Sequence, residues 1–385
     1  MSFLNLRIDS EMESIKRKNL FRSLRVQSGH DFSSNDYLGL SQNLILKEKM
    51  KKGIEIFGLG STASRLIRGH REVYEELELK FANWVSSEDS LFLSSGFLAN
   101  LGVVDAISDS RCFILTDRLN HASLLDGIRI SGAIKKYYNH NDLNHLEKIL
   151  KTLPMQSNKI LITETLFSMD GDFCKLEEIL MLKEKYNFAL MIDEAHSIGV
   201  YGNQGSGYTT KTVPTQLAAI DFRVYTAGKA LGIEGAFVAC SKQAKEFLIN
   251  KMRTFVFSTA PMPAITYTLL ESIELIKTMD KERQQIYSLS ALVKNRLSEL
   301  GFKIGKSDSH IIPVLLKEEK FALMASSILQ EDNFDIRAIR PPTVKESRLR
   351  ISLNSNITEA LVEEVSTSFK KVKNTLIKEG FNFGE

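Results

Sequence analysis

A lysine and an aspartate, each directly after an apolar run, are the residues of this chain best suited to chemistry. Lys229 ends the run 224–229, Val-Tyr-Thr-Ala-Gly-Lys, and Asp193 follows the run 189–192. A lysine amine can form a Schiff base with a cofactor aldehyde, and a carboxylate can hold the protonated nitrogen of a pyridine ring. Alone, Asp193 could cap a helix or ligate a metal, and Lys229 could be a surface lysine. Together they predict one cofactor site.

Other polar residues at the ends of apolar runs could complete that site. His196 lies three positions after Asp193 and could hydrogen-bond a phenolic oxygen of the cofactor, while Thr226 suits a phosphate contact. Residues 94–97, Ser-Ser-Gly-Phe, end one run and open a helical pattern, where free backbone N–H groups and the helix dipole favour an anion. His121 could stack over a flat ring or could be an ordinary loop histidine.

Short apolar runs alternate with helical patterns from about residue 45 to residue 265. The runs are 90–93, 112–115, 160–162, 189–192, 224–225 and 236–239. This alternation predicts an α/β fold with a mainly parallel sheet covered by helices. In open sheets of this kind, sites form just beyond the carboxyl ends of the strands. The polar residues expected there are Ser95, Asp117, Glu164, Asp193 and Lys229.

The pattern divides the chain into three parts. We predict an N-terminal helix and connector over 1–45, a large cofactor-binding domain over 46–265, and a smaller C-terminal α+β domain over 266–385 that begins with a long helical stretch. The N-terminal segment has apolar residues at helical spacing, with Asp9 and Ser10 as candidate caps.

Composition argues against several classes of partner. The 385 residues include 50 basic and 47 acidic side chains, a net charge of +3, which gives no electrostatic case for nucleic acid or an anionic membrane. No apolar stretch is long enough to cross a bilayer. The three cysteines are far apart and form no CxxC pair, which favours a reducing compartment. We therefore predict a cytoplasmic protein.

Competing motifs are incomplete. Residues 193–196 spell DEAH, the acidic box of some ATPases, but the chain lacks the GxxxxGK[ST] phosphate loop that such enzymes need. The Gly-Leu-Gly at 58–60 lacks the third glycine of a dinucleotide fingerprint. There is no HExxH, paired CxxC or GxSxG, and we predict no metal site. A binding protein without a cofactor remains the plain alternative.

The chain resembles the α-oxoamine synthases, which are fold-type I enzymes that depend on pyridoxal phosphate. The resemblance covers nearly the whole length. It rests on residues 34–39 (SNDYLG), 119–123 (LNHAS), 167–172 (FSMDGD), 193–196 (DEAH) and 226–229 (TxGK). It implies a large domain with a mainly parallel sheet, a smaller C-terminal domain, and a homodimer with active sites at the interface.

The resemblance also implies roles for individual residues. Lys229 would form the Schiff base and then act as the base that removes the α-proton, Asp193 would pair with the pyridine nitrogen, and His121 would stack on the ring. The other cofactor contacts would be Ser168 and His196 at the phenolic oxygen and Gly96, Phe97 and Thr226 at the phosphate. The substrate contacts would be Arg350 at the amino-acid carboxylate, together with Arg22 and Thr343.

The family joins an amino acid to an acyl thioester with loss of carbon dioxide. Residues 34–37 and 339–344 look most like the members that condense L-alanine with a pimeloyl thioester to give 8-amino-7-oxononanoate in biotin biosynthesis. Another member, using glycine or serine and a different acyl group, is the nearest alternative. The acyl carrier would be coenzyme A or an acyl-carrier protein. One departure is Thr62-Ala63, where these synthases often have a glycine pair that allows positive φ or close backbone approach.

Overall fold

The computed structural model describes residues 2–18 and 20–383, which group into two compact units. The larger unit comprises Asn35–Ser288 and Asn354–Asn356. The smaller unit comprises the described residues of Met1–Ser34, Leu289–Leu353 and Ile357–Glu385. This grouping differs from the predicted domain boundaries at 45 and 265.

The grouping differs because the segment after residue 265 continues the larger unit. The predicted long helical stretch is two helices, Pro263–Lys277 and Asp280–Glu299. The first of them packs on the helices Leu44–Phe57 and Glu72–Trp84 of the larger unit and buries apolar residues such as Leu269 and Ile273 there.

Fourteen helices and twelve strands are formed by the described residues. The helices are α1 (Phe3–Arg17), α2 (Leu44–Phe57), α3 (Glu72–Trp84), α4 (Gly96–Ile107), α5 (Ala122–Ser131), α6 (Leu143–Thr152), α7 (Leu176–Tyr186), α8 (Tyr208–Thr212), α9 (Lys242–Lys251), α10 (Arg253–Val256), α11 (Pro263–Lys277), α12 (Asp280–Glu299), α13 (Glu319–Glu331) and α14 (Glu359–Lys378). The strands are β1 (His30–Asp31), β2 (Asp89–Leu93), β3 (Cys112–Asp117), β4 (Ile134–Tyr138), β5 (Asn158–Glu164), β6 (Ala189–Asp193), β7 (Phe222–Thr226), β8 (Ala236–Cys240), β9 (Ile311–Lys317), β10 (Phe334–Asp335), β11 (Arg337–Ile339) and β12 (Ser347–Ser352).

A seven-stranded sheet forms the centre of the larger unit, in the order β2-β8-β7-β6-β5-β3-β4. The strands from β7 to β4 in that order pair in parallel, and β8 pairs antiparallel with both of its neighbours. Buried apolar side chains cover both faces of the sheet, as expected for strands enclosed by helices. The predicted α/β fold with a mainly parallel sheet is confirmed.

The register of the parallel strands brings the predicted site residues to one edge. Glu164 at the end of β5 is paired with Asp193 at the end of β6, and β7 ends next to them at Thr226. Because parallel strands end at the same edge, the connections that follow β3, β5, β6 and β7 all start there.

The smaller unit is built on a three-stranded antiparallel sheet in the order β11-β12-β9. The helices α13 and α14 pack against each other, and α13 also contacts β12. Strand β1, from the N-terminal part of the chain, pairs in parallel with β10. The apolar side chains of the smaller unit form one core, which includes Phe32, Val314 and Phe369.

Two local predictions need correction. The helix α1 begins at Phe3, and the Ser2 hydroxyl accepts the Asn5 N–H at 3.3 Å, so Asp9 and Ser10 lie inside the helix and do not cap it. Strand β4 was not expected, because its sequence, Ile-Lys-Lys-Tyr-Tyr, is a partly exposed edge strand without a continuous apolar run.

The Thr62 departure has a visible backbone consequence. Thr62 adopts a φ of 59°, in the left-handed region that β-branched residues rarely occupy. Thr62 therefore has a backbone conformation that glycine adopts more readily.

No described helix is long and apolar enough to cross a membrane.

Candidate active site

A cavity of about 150 Å³ lies in the larger unit at the carboxyl ends of its parallel strands. Seven of the eight predicted cofactor contacts line it: Gly96, Phe97, His121, Asp193, His196, Thr226 and Lys229. Three further lining residues were not given a role from the sequence: Asn100, Glu164 and Ala195. The eighth predicted contact, Ser168, is half-buried and is not among the lining residues.

Asp193 is buried at the end of β6 and is held at both oxygens. Oδ1 accepts the Ala195 N–H at 2.8 Å, and Oδ2 accepts the Asn100 side-chain amide at 2.6 Å. These two hydrogen bonds fix the direction of the carboxylate. Asn100 lies on α4, so the sheet and this helix together orient the carboxylate.

Lys229 and His196 are in direct contact. The Lys229 Nζ atom lies 2.7 Å from His196 Nε2, and His196 Nδ1 lies 2.6 Å from the Tyr37 hydroxyl. When the lysine donates to Nε2, the ring proton lies on Nδ1 and is donated to Tyr37. Tyr37 is fully buried and was not assigned a role from the sequence, because it is 159 positions from His196 along the chain.

The turn that carries Lys229 is tightly closed. The Gly232 N–H donates to the Lys229 carbonyl at 2.8 Å, and the Ile233 N–H donates to Ala227 O at 3.0 Å. Gly232 has a φ of 71°, and a Cβ atom there would lie 2.7 Å from the Leu40 backbone. Only glycine fits this position, and it keeps the lysine on a short, fixed loop.

The other end of the cavity is suited to an anion. Helix α4 begins at Gly96, and the Ser95 hydroxyl caps it by accepting the Leu98 N–H at 3.3 Å. The N–H groups of Gly96 and Phe97 belong to the first turn and have no acceptor within the helix. A Cβ atom on Gly96 would lie 3.3 Å from the Thr226 side chain, so glycine keeps this corner open beside the threonine.

His121 is tied to Asp193 through two side chains. The Ser123 hydroxyl lies 2.8 Å from His121 Nδ1 and accepts the Asn100 amide at 3.0 Å. Nδ1 also accepts the Ser123 backbone N–H at 3.3 Å, so it is an acceptor, and the proton of the neutral ring lies on Nε2. Partial burial lowers the pKa of His121. The Asp193 carboxylate opposes this shift, and the Lys229 cation lowers the pKa further.

Glu164 is a second buried carboxyl group in the cavity. Its Oε1 accepts the His121 backbone N–H at 2.6 Å. Burial raises the pKa of Glu164 well above its ordinary value, and the neighbouring Asp193 carboxylate raises it further. In its protonated form this carboxyl group can donate a hydrogen bond into the cavity without adding a second negative charge.

The predicted substrate contacts lie in the smaller unit. The Arg22 guanidinium donates to the Thr343 hydroxyl at 3.1 Å, and both residues line a cavity of about 290 Å³. Arg350 is buried on β12, where it pairs in register with Arg337. Burial, with the positive charges of Arg350 and Lys294, lowers the pKa of His310 to about 3 and keeps that ring neutral.

The residues that line the cavity of the larger unit fit pyridoxal phosphate by their chemistry. The aldehyde needs a lysine amine, and the pyridine nitrogen needs a buried carboxylate. The aromatic ring needs a neutral imidazole, and the phosphate needs a helix N-terminus with a threonine. In addition, Asn100 Oδ1 is buried without a hydrogen-bond partner among the described residues. No cluster of described His, Cys, Asp and Glu side chains could hold a metal ion.

Sequence comparison identifies the family. The model of the family "Aminotransferase class I and II" matches residues 28–369. The chain belongs to this family. A Bacillus cereus (strain ATCC 10987 / NRS 248) protein provisionally named 8-amino-7-oxononanoate synthase is 38% identical over 369 residues, which cover 92% of this chain and 93% of that protein. A Bacillus anthracis protein of the same name is 40% identical over 333 residues, with 86% and 84% covered.

Solved structures of the family share the fold. The 8-amino-7-oxononanoate synthase of Francisella tularensis has a TM-score of 0.79 and 26% identity, and covers 91% of this chain and 99% of its own. The serine palmitoyltransferase of Sphingomonas wittichii has a TM-score of 0.90 and 25% identity, with 97% and 99% covered. Both are α-oxoamine synthases. The chain is a member of the α-oxoamine synthases, which are pyridoxal-phosphate-dependent acyltransferases.

Proposed function

We propose that this α-oxoamine synthase condenses L-alanine with a pimeloyl thioester, with loss of carbon dioxide, to give 8-amino-7-oxononanoate in biotin biosynthesis. The observation that carries the enzyme class is the convergence of Lys229, Asp193, His121 and His196 on one cavity. The choice of substrates is supported by relatives at 38–40% identity that carry this enzyme's name.

Pyridoxal phosphate is the cofactor of this enzyme class, and the cavity residues would hold it. Lys229 would bind the aldehyde, Asp193 the pyridine nitrogen and His121 the ring face. The phenolic oxygen would be held by Ser168 and His196, and the phosphate by Gly96, Phe97 and Thr226. When bound, pyridoxal phosphate supplies an electron sink for the carbanion that forms at the amino-acid α-carbon.

Lys229 would move the proton at that carbon. Its Nζ atom is oriented by His196, which is in turn fixed by Tyr37 at 2.6 Å, so the amine is held by a chain of hydrogen bonds that begins in the core. The amine would take the α-proton and return a proton to the same carbon after carbon dioxide has left. A base that is positioned in this way lowers the barrier because no search for the geometry is needed.

The substrate contacts are proposed from the resemblance and from side-chain chemistry. The Arg350 guanidinium would bind the alanine carboxylate through two parallel hydrogen bonds. Arg22 and Thr343 would contact the acyl substrate. The hydrogen bond of 3.1 Å between them holds the two side chains next to each other. The thioester carrier would be coenzyme A or an acyl-carrier protein.

A homodimer is the proposed assembly. Leu59, Ile67 and Phe257 are large apolar side chains with exposed fractions of 78%, 83% and 74%. The turn that carries Ile67 contacts helix α10, which ends next to Phe257, so these two side chains lie on adjacent segments of the larger unit. Exposed apolar groups of this kind favour association with a second copy, which a sedimentation experiment on wild type and an Ile67→Asp variant would measure.

A cytoplasmic location is proposed from the three free, buried cysteines.

The test of substrate choice is a matrix of amino acids and thioesters. Alanine, glycine and serine are each assayed with acetyl, succinyl, pimeloyl and palmitoyl thioesters, and the highest kcat/KM is expected for alanine with pimeloyl. Serine with palmitoyl is the second candidate, because the serine palmitoyltransferase of Sphingomonas wittichii has a TM-score of 0.90 with this chain. Highest turnover with that pair, or with any pair other than alanine and pimeloyl, would overturn the proposed substrates and leave the enzyme class intact.

A further inference from the structure

His140 connects three loops at the edge of the sheet where the active site lies. It follows strand β4, and its two ring nitrogens contact carboxylates from two other connections. Nδ1 lies 3.0 Å from Asp117 Oδ1, and Nε2 lies 2.9 Å from Asp172 Oδ2. Asn141 adds to the junction, since its N–H donates to Asp117 Oδ2 at 3.0 Å and its amide donates to Asp172 Oδ2 at 2.8 Å.

Both carboxylates belong to loops that carry proposed cofactor contacts. Asp117 ends β3 and begins the connection to His121, and its Oδ1 also accepts the Leu119 N–H at 2.8 Å. Asp172 closes the turn that contains Ser168, because the Phe167 N–H donates to the Asp172 carbonyl at 3.1 Å. Loss of the bridge that His140 forms between Asp117 and Asp172 would therefore affect the positions of both loops.

The bridge requires a charged imidazole. Each ring nitrogen faces a carboxylate oxygen, so both nitrogens must donate, and only the protonated ring has two donors. Burial opposes the charged form, but the hydrogen bonds and charges of Asp117 and Asp172 outweigh it and raise the pKa of His140 to about 10. The Phe167 ring packs edge-on against the imidazole at 4.4 Å between centroids.

We propose that His140 is a positioning residue of the active site, which fixes the His121 loop and the Ser168 loop relative to each other by bridging Asp117 and Asp172. This inference rests on the proposed function only in assigning cofactor contacts to those two loops. It goes beyond that function because neither His140 nor the bridge touches the cavity. A displacement of about 1 Å at such contacts is enough to lower turnover on the order of 10²-fold.

The side-chain chemistry predicts which replacements keep the bridge. Glutamine has donors at one end only, so His140→Gln turns an amide oxygen toward one of the two carboxylates. Arginine is always charged and presents several donors in one plane, so His140→Arg can bridge two carboxylates from this partly exposed position. Asp172→Asn keeps the imidazole and removes one of the two charges that it connects.

The test is a titration of each apoprotein with pyridoxal phosphate, followed by absorbance, alongside thermal unfolding. We expect the cofactor Kd of His140→Gln to rise about tenfold, and that of His140→Arg to stay within about threefold of wild type. The effects of His140→Gln and Asp172→Asn should not add in the double variant, since both changes break the same bridge. Because no substrate is used, the result does not depend on which amino acid or thioester the enzyme takes.

His145→Gln is the matched control. His145 lies in the first turn of α6, directly after the connection that contains His140, and accepts the Asn139 N–H at 3.1 Å, but it contacts neither carboxylate. We expect its cofactor Kd to match that of wild type. The proposal is overturned if His140→Gln loses only thermal stability with the Kd unchanged, if His145→Gln weakens the cofactor equally, or if His140→Arg is as defective as His140→Gln. If His140→Gln does not fold, Asp172→Asn alone must raise the Kd for the proposal to stand.

Discussion

The two units of the molecule each contain a cavity with proposed functional residues, and the two cavities are built differently. The cavity of the larger unit contains groups of both charges, and short, mostly buried hydrogen bonds, such as that from Asn100 to Asp193, fix the directions of its side chains. The cavity of the smaller unit is lined by four arginines, Arg22, Arg25, Arg337 and Arg340, together with apolar side chains. Of these, Arg337 is paired with Asp335.

The difference indicates that the two cavities have different functions. Preorganised groups on strand ends suit chemistry, where the direction of each atom decides the rate. The arginines of the other cavity, of which Arg22 and Arg25 are exposed, suit the binding of an anionic group, where charge matters more than exact direction. Changes in the first cavity should therefore alter turnover, and changes in the second should alter substrate affinity.

The largest effect is expected for Lys229→Ala. Loss of the amine removes both the cofactor attachment and the proposed base, so kcat should fall on the order of 10³-fold or more. Steady-state assay with alanine and a pimeloyl thioester measures it. Retention of more than a tenth of the wild-type rate would contradict the assignment of this lysine.

A smaller effect, of a different kind, is expected for Arg22→Ala in the second cavity. We expect the KM for the acyl thioester to rise about tenfold with kcat changed little, because one charge-assisted contact is lost. Arg111→Ala is the control, since Arg111 is an exposed arginine paired with Asp109 in the larger unit. A fall in kcat without a change in KM would remove the distinction between the two cavities.

Glu164→Gln should change the pH dependence of stability. Because the pKa of Glu164 is raised in the folded protein, the native state binds this proton more tightly than the unfolded state does. The associated stability is complete below the unfolded pKa of about 4.3 and is lost as pH rises through the folded pKa. Gln keeps an acceptor for the His121 N–H, so thermal unfolding of the variant should fall less steeply from pH 5 to pH 8. An unchanged slope would show that Glu164 ionises normally.

The smallest effect is expected away from both cavities, at Thr62. Its φ of 59° is unfavourable for a β-branched residue, so Thr62→Gly should raise the free energy of unfolding by about 0.5 kcal/mol, after allowance for the greater freedom of glycine in the unfolded chain. Urea unfolding measures the change, and Thr62→Ala, which retains a Cβ atom, should not gain this stability. A loss on changing to glycine would mean that the Thr62 hydroxyl matters more than the backbone.

The contrast between the cavities also explains what could be predicted from the sequence. Lys229, Asp193 and Thr226 follow apolar runs, and the topology of parallel strands brings such positions to one edge. The arginine-lined cavity has no such periodic signal, because Arg22 and Arg340 both lie in segments without regular secondary structure. Arg22 and Thr343 were therefore reached only through the resemblance to a family.

Contacts between residues distant along the chain were the part that the sequence did not reveal. Tyr37 is 159 positions from His196, and His140 is 23 and 32 positions from its two carboxylates. In addition, β4 is an edge strand whose two lysines interrupt any apolar run, so the loop that contains His140 had no predicted strand before it. A single sequence gives periodicity along the chain, whereas these contacts depend on strand order.

Reduction with borohydride is the most direct test of the central claim that Lys229 binds the cofactor aldehyde. The purified protein loaded with pyridoxal phosphate should be yellow, and borohydride should bleach it and fix a pyridoxyl group on one lysine. Peptide mapping by mass spectrometry is expected to find that group on Lys229 in wild type, with no stoichiometric label in Lys229→Ala. A folded protein that stays colourless with pyridoxal phosphate, or a label on another lysine, would contradict the account.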